Sequence, residues 1–117
     1  MASETGTMRA PTHADVAWGF LDVMESEGLA AAMARCSDSV TLHVRTGTEE
    51  VSVAGRDPVA AFMRRMLGPE GTTEIRKKGV MVHRGRVAVL AAVADREPVT
   101  LSFAMDGPLI TEIWLDL

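Results

Sequence analysis

The order of the secondary-structure signals is the feature that most constrains this chain. Residues 13–67 carry the apolar periodicity of amphipathic helices, interrupted by one short pair of strand patterns. Residues 74–117 then alternate with the period of β-strands, and tight turns divide them into four strands of roughly nine residues each. Hairpin-linked strands form one sheet, whose apolar face must be covered by the preceding helices. We therefore predict an α+β fold in which a curved antiparallel sheet wraps over three N-terminal helices.

Local signals set the predicted helix boundaries. Thr12 and Asp15 have the spacing of a capping box, so the first helix is expected to begin after Thr12. Apolar residues recur at helical spacing on both sides of Gly28, which indicates two helices that meet at this glycine. Asp57 followed by Pro58 is typical of a third helix start, because aspartate caps a helix and proline fits its first turn.

Length, charge and cysteine content exclude several classes of protein. A chain of 117 residues corresponds to one domain, predicted over residues 13–117 after a disordered leader at 1–12. The formal net charge of −4 argues against nucleic-acid binding, which needs a basic face. No apolar run approaches the roughly 20 residues of a membrane helix, and no signal peptide is recognisable. Cys36 is the only cysteine, so no internal disulfide can form, and we predict a cytoplasmic protein.

Three segments of the chain carry a family resemblance. They are 38–40, which ends the helical pair, 54–58, which opens the third helix, and 106–107, which precedes the final strand. In this order they resemble the nuclear-transport-factor-2-like superfamily, which includes ketosteroid isomerase, limonene epoxide hydrolase and the SnoaL-like polyketide cyclases. The resemblance covers residues 13–117. It implies a cone-shaped α+β barrel, a pocket between sheet and helices, and a homodimer through the open face of the sheet.

The resemblance also implies where catalytic groups would lie. The catalytic base of ketosteroid isomerase falls on Val44, its tyrosine on Phe20 and its second aspartate near Leu101. All three are apolar here, so isomerisation by that machinery is not expected. The Arg-x-Asp of limonene epoxide hydrolase falls within residues 91–93, which are also apolar, so an epoxide hydrolase is the weaker alternative.

The last strand offers the candidate acid/base residues that remain. Glu112, Trp114 and Asp116 share one face of this strand, and His43 lies on the polar face of an earlier strand. A carboxylate of Asp116 or Glu112, with His43, can move a proton if these side chains point into the pocket. If the apolar face of the strand covers the helices, they point outwards instead. A slip of one residue exchanges the two faces, so both orientations stay open.

The candidate pocket lining is large and apolar. Eight methionines and few aromatic residues favour an adaptable interior that takes a flat apolar ligand. The three histidines lie 30 and 40 residues apart, which is not a metal-binding spacing, and we predict neither a metal nor another cofactor. The predicted pocket residues are Trp18, Phe20, Met24, Val44, Phe62, Met66, Met81, Leu101, Phe103 and Trp114.

Two hypotheses on function follow. The first is a SnoaL-like small-molecule enzyme, a cyclase or isomerase that acts on an apolar biosynthetic intermediate through His43, Glu112 and Asp116. The second is a non-catalytic module of the same fold that binds a ligand or assembles with a partner. The apolar replacements at Phe20, Val44 and Leu101 motivate the second hypothesis.

Overall fold

The computed structural model describes residues 12–67, 75–83, 86–93 and 99–116. The predicted α+β class is confirmed, as are the division of the helical half at Gly28 and the four late strands. Apart from Thr12, the predicted leader lies outside the described residues. The elements are α1 (His13–Glu27), α2 (Leu29–Met33), β1 (Cys36–Thr46), β2 (Glu49–Ala54), α3 (Arg56–Leu67), β3 (Ile75–His83), β4 (Arg86–Val93), β5 (Val99–Asp106) and β6 (Leu109–Asp116).

Within the described residues the strands form one six-stranded sheet in the order β2-β1-β6-β5-β4-β3. The sheet differs in two ways from the one predicted. It is mixed, because β1 runs parallel to β6 while all other neighbours are antiparallel. It is also open, since β2 and β3 form its two edges, and so the predicted barrel does not close. Parallel strands need a long connection, and the chain between β1 and β6 supplies it.

The start of α1 and its junction with α2 follow from local chemistry. Thr12 Oγ1 accepts a hydrogen bond from the Asp15 amide at 3.1 Å, and Asp15 Oδ2 accepts from the Thr12 amide at 3.0 Å, so the predicted capping box is formed. Gly28 has φ 100° and ψ 172°, a conformation open essentially to glycine alone. The second helix is shorter than its pattern predicts, because Cys36 already belongs to β1.

A β-bulge sets the orientation of β6. Met105 pairs with Ile110 and Ala104 pairs with Glu112, so Thr111 is an extra residue on β6 without a partner on β5. Its hydroxyl donates to the Ala104 carbonyl at 3.2 Å. The bulge turns Ile110 to the same side as the buried residues that follow it, so strict alternation along this strand is wrong at this point.

The two sides of the sheet have opposite characters, and we call them the inner and outer faces. The inner face packs against the helices and carries the core, where the rings of Phe20 on α1 and Phe103 on β5 meet edge to face at 5.6 Å. The outer face carries the residues that alternate with these. The fully buried inner-face strand residues include Leu42, Val87, Val89, Phe103 and Ile113.

Candidate functional site

A polar cluster on the outer face brings together two of the three predicted acid/base residues. His43 Nε2 lies 2.9 Å from Glu112 Oε2, and His43 Nδ1 lies 2.8 Å from Ser52 Oγ. The His43 ring also stacks on the Trp114 ring, with centroids 5.4 Å apart and planes 20° apart. We call these four residues the His43 cluster.

Strand register explains why the cluster forms. Ser52 on β2 and Trp114 on β6 are the direct cross-strand partners of His43 on β1, and Glu112 precedes Trp114 by two residues on the same face. Cross-strand partners on one face have Cβ atoms about 5 Å apart, within reach of their side chains. The β1–β2 turn at Gly47, with φ 53°, fixes which residue of β2 faces His43.

The cluster fixes the tautomer of its histidine. An ionised carboxylate only accepts hydrogen bonds, so Nε2 of His43 must carry the proton that faces Glu112. In the neutral ring, Nδ1 is then an acceptor, and the Ser52 hydroxyl donates to it. The side chain of His43 is 17% exposed and that of Glu112 is 43% exposed, so the pair lies at the surface but is partly shielded from water.

Trp114 is covered without entering the core. The Arg86 guanidinium sits 3.7 Å from the centroid of its indole ring, a cation–π contact, and His43 stacks against the same side chain. These neighbours explain why Trp114 is buried although it lies outside the core cluster. Its indole ring is stacked nearly parallel to the imidazole of His43.

Asp116, the third predicted acid/base residue, is engaged by an arginine. Arg45 Nε and a terminal guanidinium nitrogen lie 2.5 and 3.0 Å from the two carboxylate oxygens of Asp116. This two-point hydrogen-bonded pair raises the pKa of Arg45 above its usual value. Both carboxylate oxygens of Asp116 are engaged by Arg45, so the predicted role of Asp116 as a base has little support.

The structure places the three predicted acid/base residues on the outer face, away from the helix-covered interior. Among the described residues no polar or charged side chain is buried. The positions that the family resemblance assigns to catalytic groups, Phe20, Val44 and Leu101, are all buried in the apolar core.

Three residues of the predicted pocket lining lie away from the core. Trp18 is 38% exposed because it falls beside the apolar stripe of α1, and Met81 is 67% exposed because it pairs with the outer-face residue Ala88. Trp114 lies on the outer face. Phe20, Met24, Val44, Leu101 and Phe103 are core residues, Phe62 is half-buried against the core, and the side chain of Met66 lies outside the described residues.

Cys36 is not available for nucleophilic chemistry. Burial raises the pKa of its thiol to about 12, and the nearby Arg56 guanidinium offsets only part of that rise. The thiolate is the reactive form, so this cysteine is an inert core residue at neutral pH.

Neither a metal centre nor a membrane span is found in the described part of the chain. No group of three or more His, Cys, Asp or Glu side chains there is arranged to hold a metal ion. None of the helices described has the length and apolar character that a membrane span requires.

Sequence reasoning missed Ser52 and Arg86. The contact of Ser52 with His43 could have been predicted, because a two-residue turn at Gly47-Thr48 pairs Thr46 with Glu49 and therefore His43 with Ser52. Arg86 reaches Trp114 across two intervening strand pairings, which no local pattern reveals.

Comparison with known proteins identifies the fold and leaves activity open. No protein-family profile matches the sequence, and no curated protein matches it. A SnoaL-like protein of unknown function from Burkholderia thailandensis superposes with a TM-score of 0.72 at 12% identity, covering 88% of this chain and 92% of that one. A protein of unknown function with a cystatin-like fold from Xanthomonas campestris gives 0.73 at 16% identity, covering 90% and 89%.

A third solved structure, an NTF2-like protein of unknown function from Cytophaga hutchinsonii, gives a TM-score of 0.65 at 11% identity and covers 93% of this chain and 92% of that one. The chain therefore has the α+β fold of the NTF2-like and SnoaL-like proteins, as the sequence resemblance implied. Identities this low define the fold alone, and the site must be argued from its own residues. The homodimer through the outer face stays a prediction.

Proposed function

We propose that this protein binds an apolar small molecule, without transforming it, between its helices and the inner face of its sheet. The observation that carries this proposal is that no polar or charged residue is buried as a whole among the described residues, where the buried side-chain nitrogen without a hydrogen-bond partner is Arg56 Nε. An interior of this kind can bind an apolar ligand by desolvation and packing. In the described part of the chain, this interior contains no buried carboxylate, imidazole or amine with which to transform that ligand.

An apolar strip on β3 supports a ligand site on the inner face. Val80 and Val82 pair with Val89 and Val87, which are fully buried, so all four point to the same side of the sheet. Val80 and Val82 nevertheless remain 41% and 56% exposed. We call these two valines the inner lip, and an apolar ligand that contacts them would remove their surface from water.

Methionines in the interior fit a role in binding. Met24, Met33 and Met63 are buried in the core on the three helices. Their unbranched, polarizable side chains repack at low cost around ligands of different shape.

The cyclase or isomerase hypothesis has less support. It needs a proton donor or acceptor beside the substrate, and the strand backbones separate the interior from His43 and Glu112. Asp116 is on the same outer face and is held by Arg45.

Neighbouring residues of β3 allow a matched test of the binding site. Val82→Asp places a charge on the inner lip, whereas Met81→Asp places the same charge on the outer face of the same strand. Both side chains are more than half exposed, so neither change should prevent folding. The purified protein is titrated with an environment-sensitive apolar dye such as anilinonaphthalene sulfonate, which is then displaced with a panel of steroids, terpenoids and fatty acids.

We expect saturable binding to the wild-type protein, and at least a 10-fold weaker affinity for Val82→Asp, which corresponds to about 1.4 kcal/mol. Met81→Asp should bind as the wild type does. If both substitutions weakened the affinity equally, the ligand would not bind at the inner lip. Failure of every compound to displace the dye would count against a ligand-binding module.

A further inference from the structure

The His43 cluster contains the connected groups of a nucleophilic hydrolase. A hydroxyl, an imidazole and a carboxylate form a chain of two hydrogen bonds. Ser52 Oγ lies 2.8 Å from His43 Nδ1, and His43 Nε2 lies 2.9 Å from Glu112 Oε2. Two such hydrogen bonds connect a nucleophile, its base and the group that orients the base, and here Nδ1 faces the serine and Nε2 the carboxylate, the reverse of the usual assignment of the ring nitrogens. Such a triad is recognised by the geometry and roles of its groups, whichever strands supply them.

The protonation pattern of the cluster is the one that the chemistry requires. Because Nε2 donates to the Glu112 carboxylate, the lone pair of Nδ1 faces the Ser52 hydroxyl and can take its proton. Glu50, whose carboxylate lies 3.7 Å from the same Nδ1, is a second anion beside the imidazolium that would form. The stacked Trp114 ring keeps the imidazole in line with both partners.

The backbone of β2 adds a donor for a developing oxyanion. The Gly55 amide donates to the Val40 carbonyl at 2.8 Å, which marks a hydrogen-bonded position of the β1–β2 pair. Such positions alternate along an antiparallel pair, so His43 and Ser52 form a non-hydrogen-bonded pair, in which the side chains lie closest. The N–H of Ser52 then points away from β1, and β2 is an edge strand. A nucleophile's own N–H is one of the usual donors to an oxyanion.

We propose that Ser52, His43 and Glu112 form an esterase site on the outer face, with Ser52 as nucleophile, His43 as base and Glu112 as positioning residue. The substrate class is a carboxylic ester with a short acyl group, because Ser52 is exposed on an edge strand of the sheet. This activity is independent of ligand binding in the interior.

The reaction balances with water as the only co-reactant. Ser52 Oγ bonds to the carbonyl carbon while its proton passes to His43 Nδ1, and the oxyanion faces the Ser52 N–H. The carbon–oxygen bond to the alcohol breaks, and the alcohol leaves with the proton from His43. Water then attacks the acyl-serine, giving a proton to His43, and Ser52 departs with that proton as the acid is released. The net change is ester plus water to acid plus alcohol.

The first test needs no variant. The purified full chain is treated with a fluorophosphonate, which phosphonylates activated serines, and the modified residue is located by mass spectrometry. We expect one stoichiometric label, on Ser52. An absent label, or a label spread over several serines, would overturn the proposal.

Hydrolysis of p-nitrophenyl acetate gives the second test. We expect Ser52→Ala and His43→Gln each to lower kcat/KM by at least about 100-fold. Glu112→Gln should lower kcat by about 10-fold or more while KM stays unchanged, because it acts through His43. Ser102→Ala, on the same face of β5, is the matched control and should keep full activity. Activity that survives in Ser52→Ala would refute Ser52 as the nucleophile.

Discussion

The contact between Phe20 and Phe103 joins α1 to the inner face of the sheet, and its energy can be anticipated. Both side chains are fully buried, and their rings meet edge to face at 5.6 Å. Replacing Phe103 by alanine removes most of a buried ring and leaves a cavity, so we expect a loss of about 3–5 kcal/mol in the free energy of unfolding. A domain of this length is expected to have a total stability of about 6–18 kcal/mol. The variant should therefore fold but be markedly less stable.

Urea unfolding followed by circular dichroism measures this loss. With a slope of about 2 kcal/mol per molar urea, the midpoint should fall by about 1.5–2.5 M. Ser102→Ala changes the preceding residue of the same strand, which faces outwards, and should change stability by less than about 0.5 kcal/mol. A double-mutant cycle with Phe20→Leu and Phe103→Leu should give a coupling energy of about 0.5–1.5 kcal/mol. If Phe103→Ala costs less than 1 kcal/mol, or no more than Ser102→Ala, the assignment of the two faces is wrong.

Two further predictions concern Cys36 and Gly28. Folding raises the pKa of the Cys36 thiol from 9.0 to about 12, so its contribution to stability is complete below pH 9 and is lost as the pH rises towards 12. Urea unfolding between pH 7 and 10.5 should show this decline in the free energy of unfolding, and the decline should be smaller for Cys36→Ala. An equal decline with pH in both proteins would contradict the burial of the thiol. Gly28→Ala should lower stability by about 1–3 kcal/mol because Gly28 has φ 100°. Gly47→Asn, at φ 53° where asparagine is tolerated, should cost less in the same thermal or urea unfolding assay; a neutral Gly28→Ala would contradict the backbone conformation at the helix junction.

Most of the fold was predictable because its signals are local. The capping box at Thr12 and Asp15, the break at Gly28 and the turn at Gly47 each depend on a few adjacent residues, and each is present in the structure. Leu101 and Phe103, which were predicted to line the pocket, alternate with polar residues along β5 and are both buried. Such patterns record which side of an element meets apolar neighbours.

The parts that were missed depend on contacts distant in sequence. The parallel pairing of β1 with β6 joins strands from opposite ends of the domain, and no local pattern encodes it. The outward orientation of Glu112 and Asp116 depends on the bulge at Thr111, where one extra residue exchanges the faces of the strand. His43 and Glu112 were predicted as candidates from their chemistry, but their contact at 2.9 Å follows only from this register.

The described methionines offer the most direct measurement of where an apolar ligand binds. Met24, Met33 and Met63 are buried on the inner side, whereas Met81 is exposed on the outer face. Protein labelled with carbon-13 at the methionine methyl groups would be titrated with the tightest ligand from the displacement panel and followed by NMR. Our account predicts saturable shifts of the signals of Met24, Met33 or Met63, with the Met81 signal unchanged. Shifts confined to Met81 would place the ligand on the outer face and contradict a binding site in the interior.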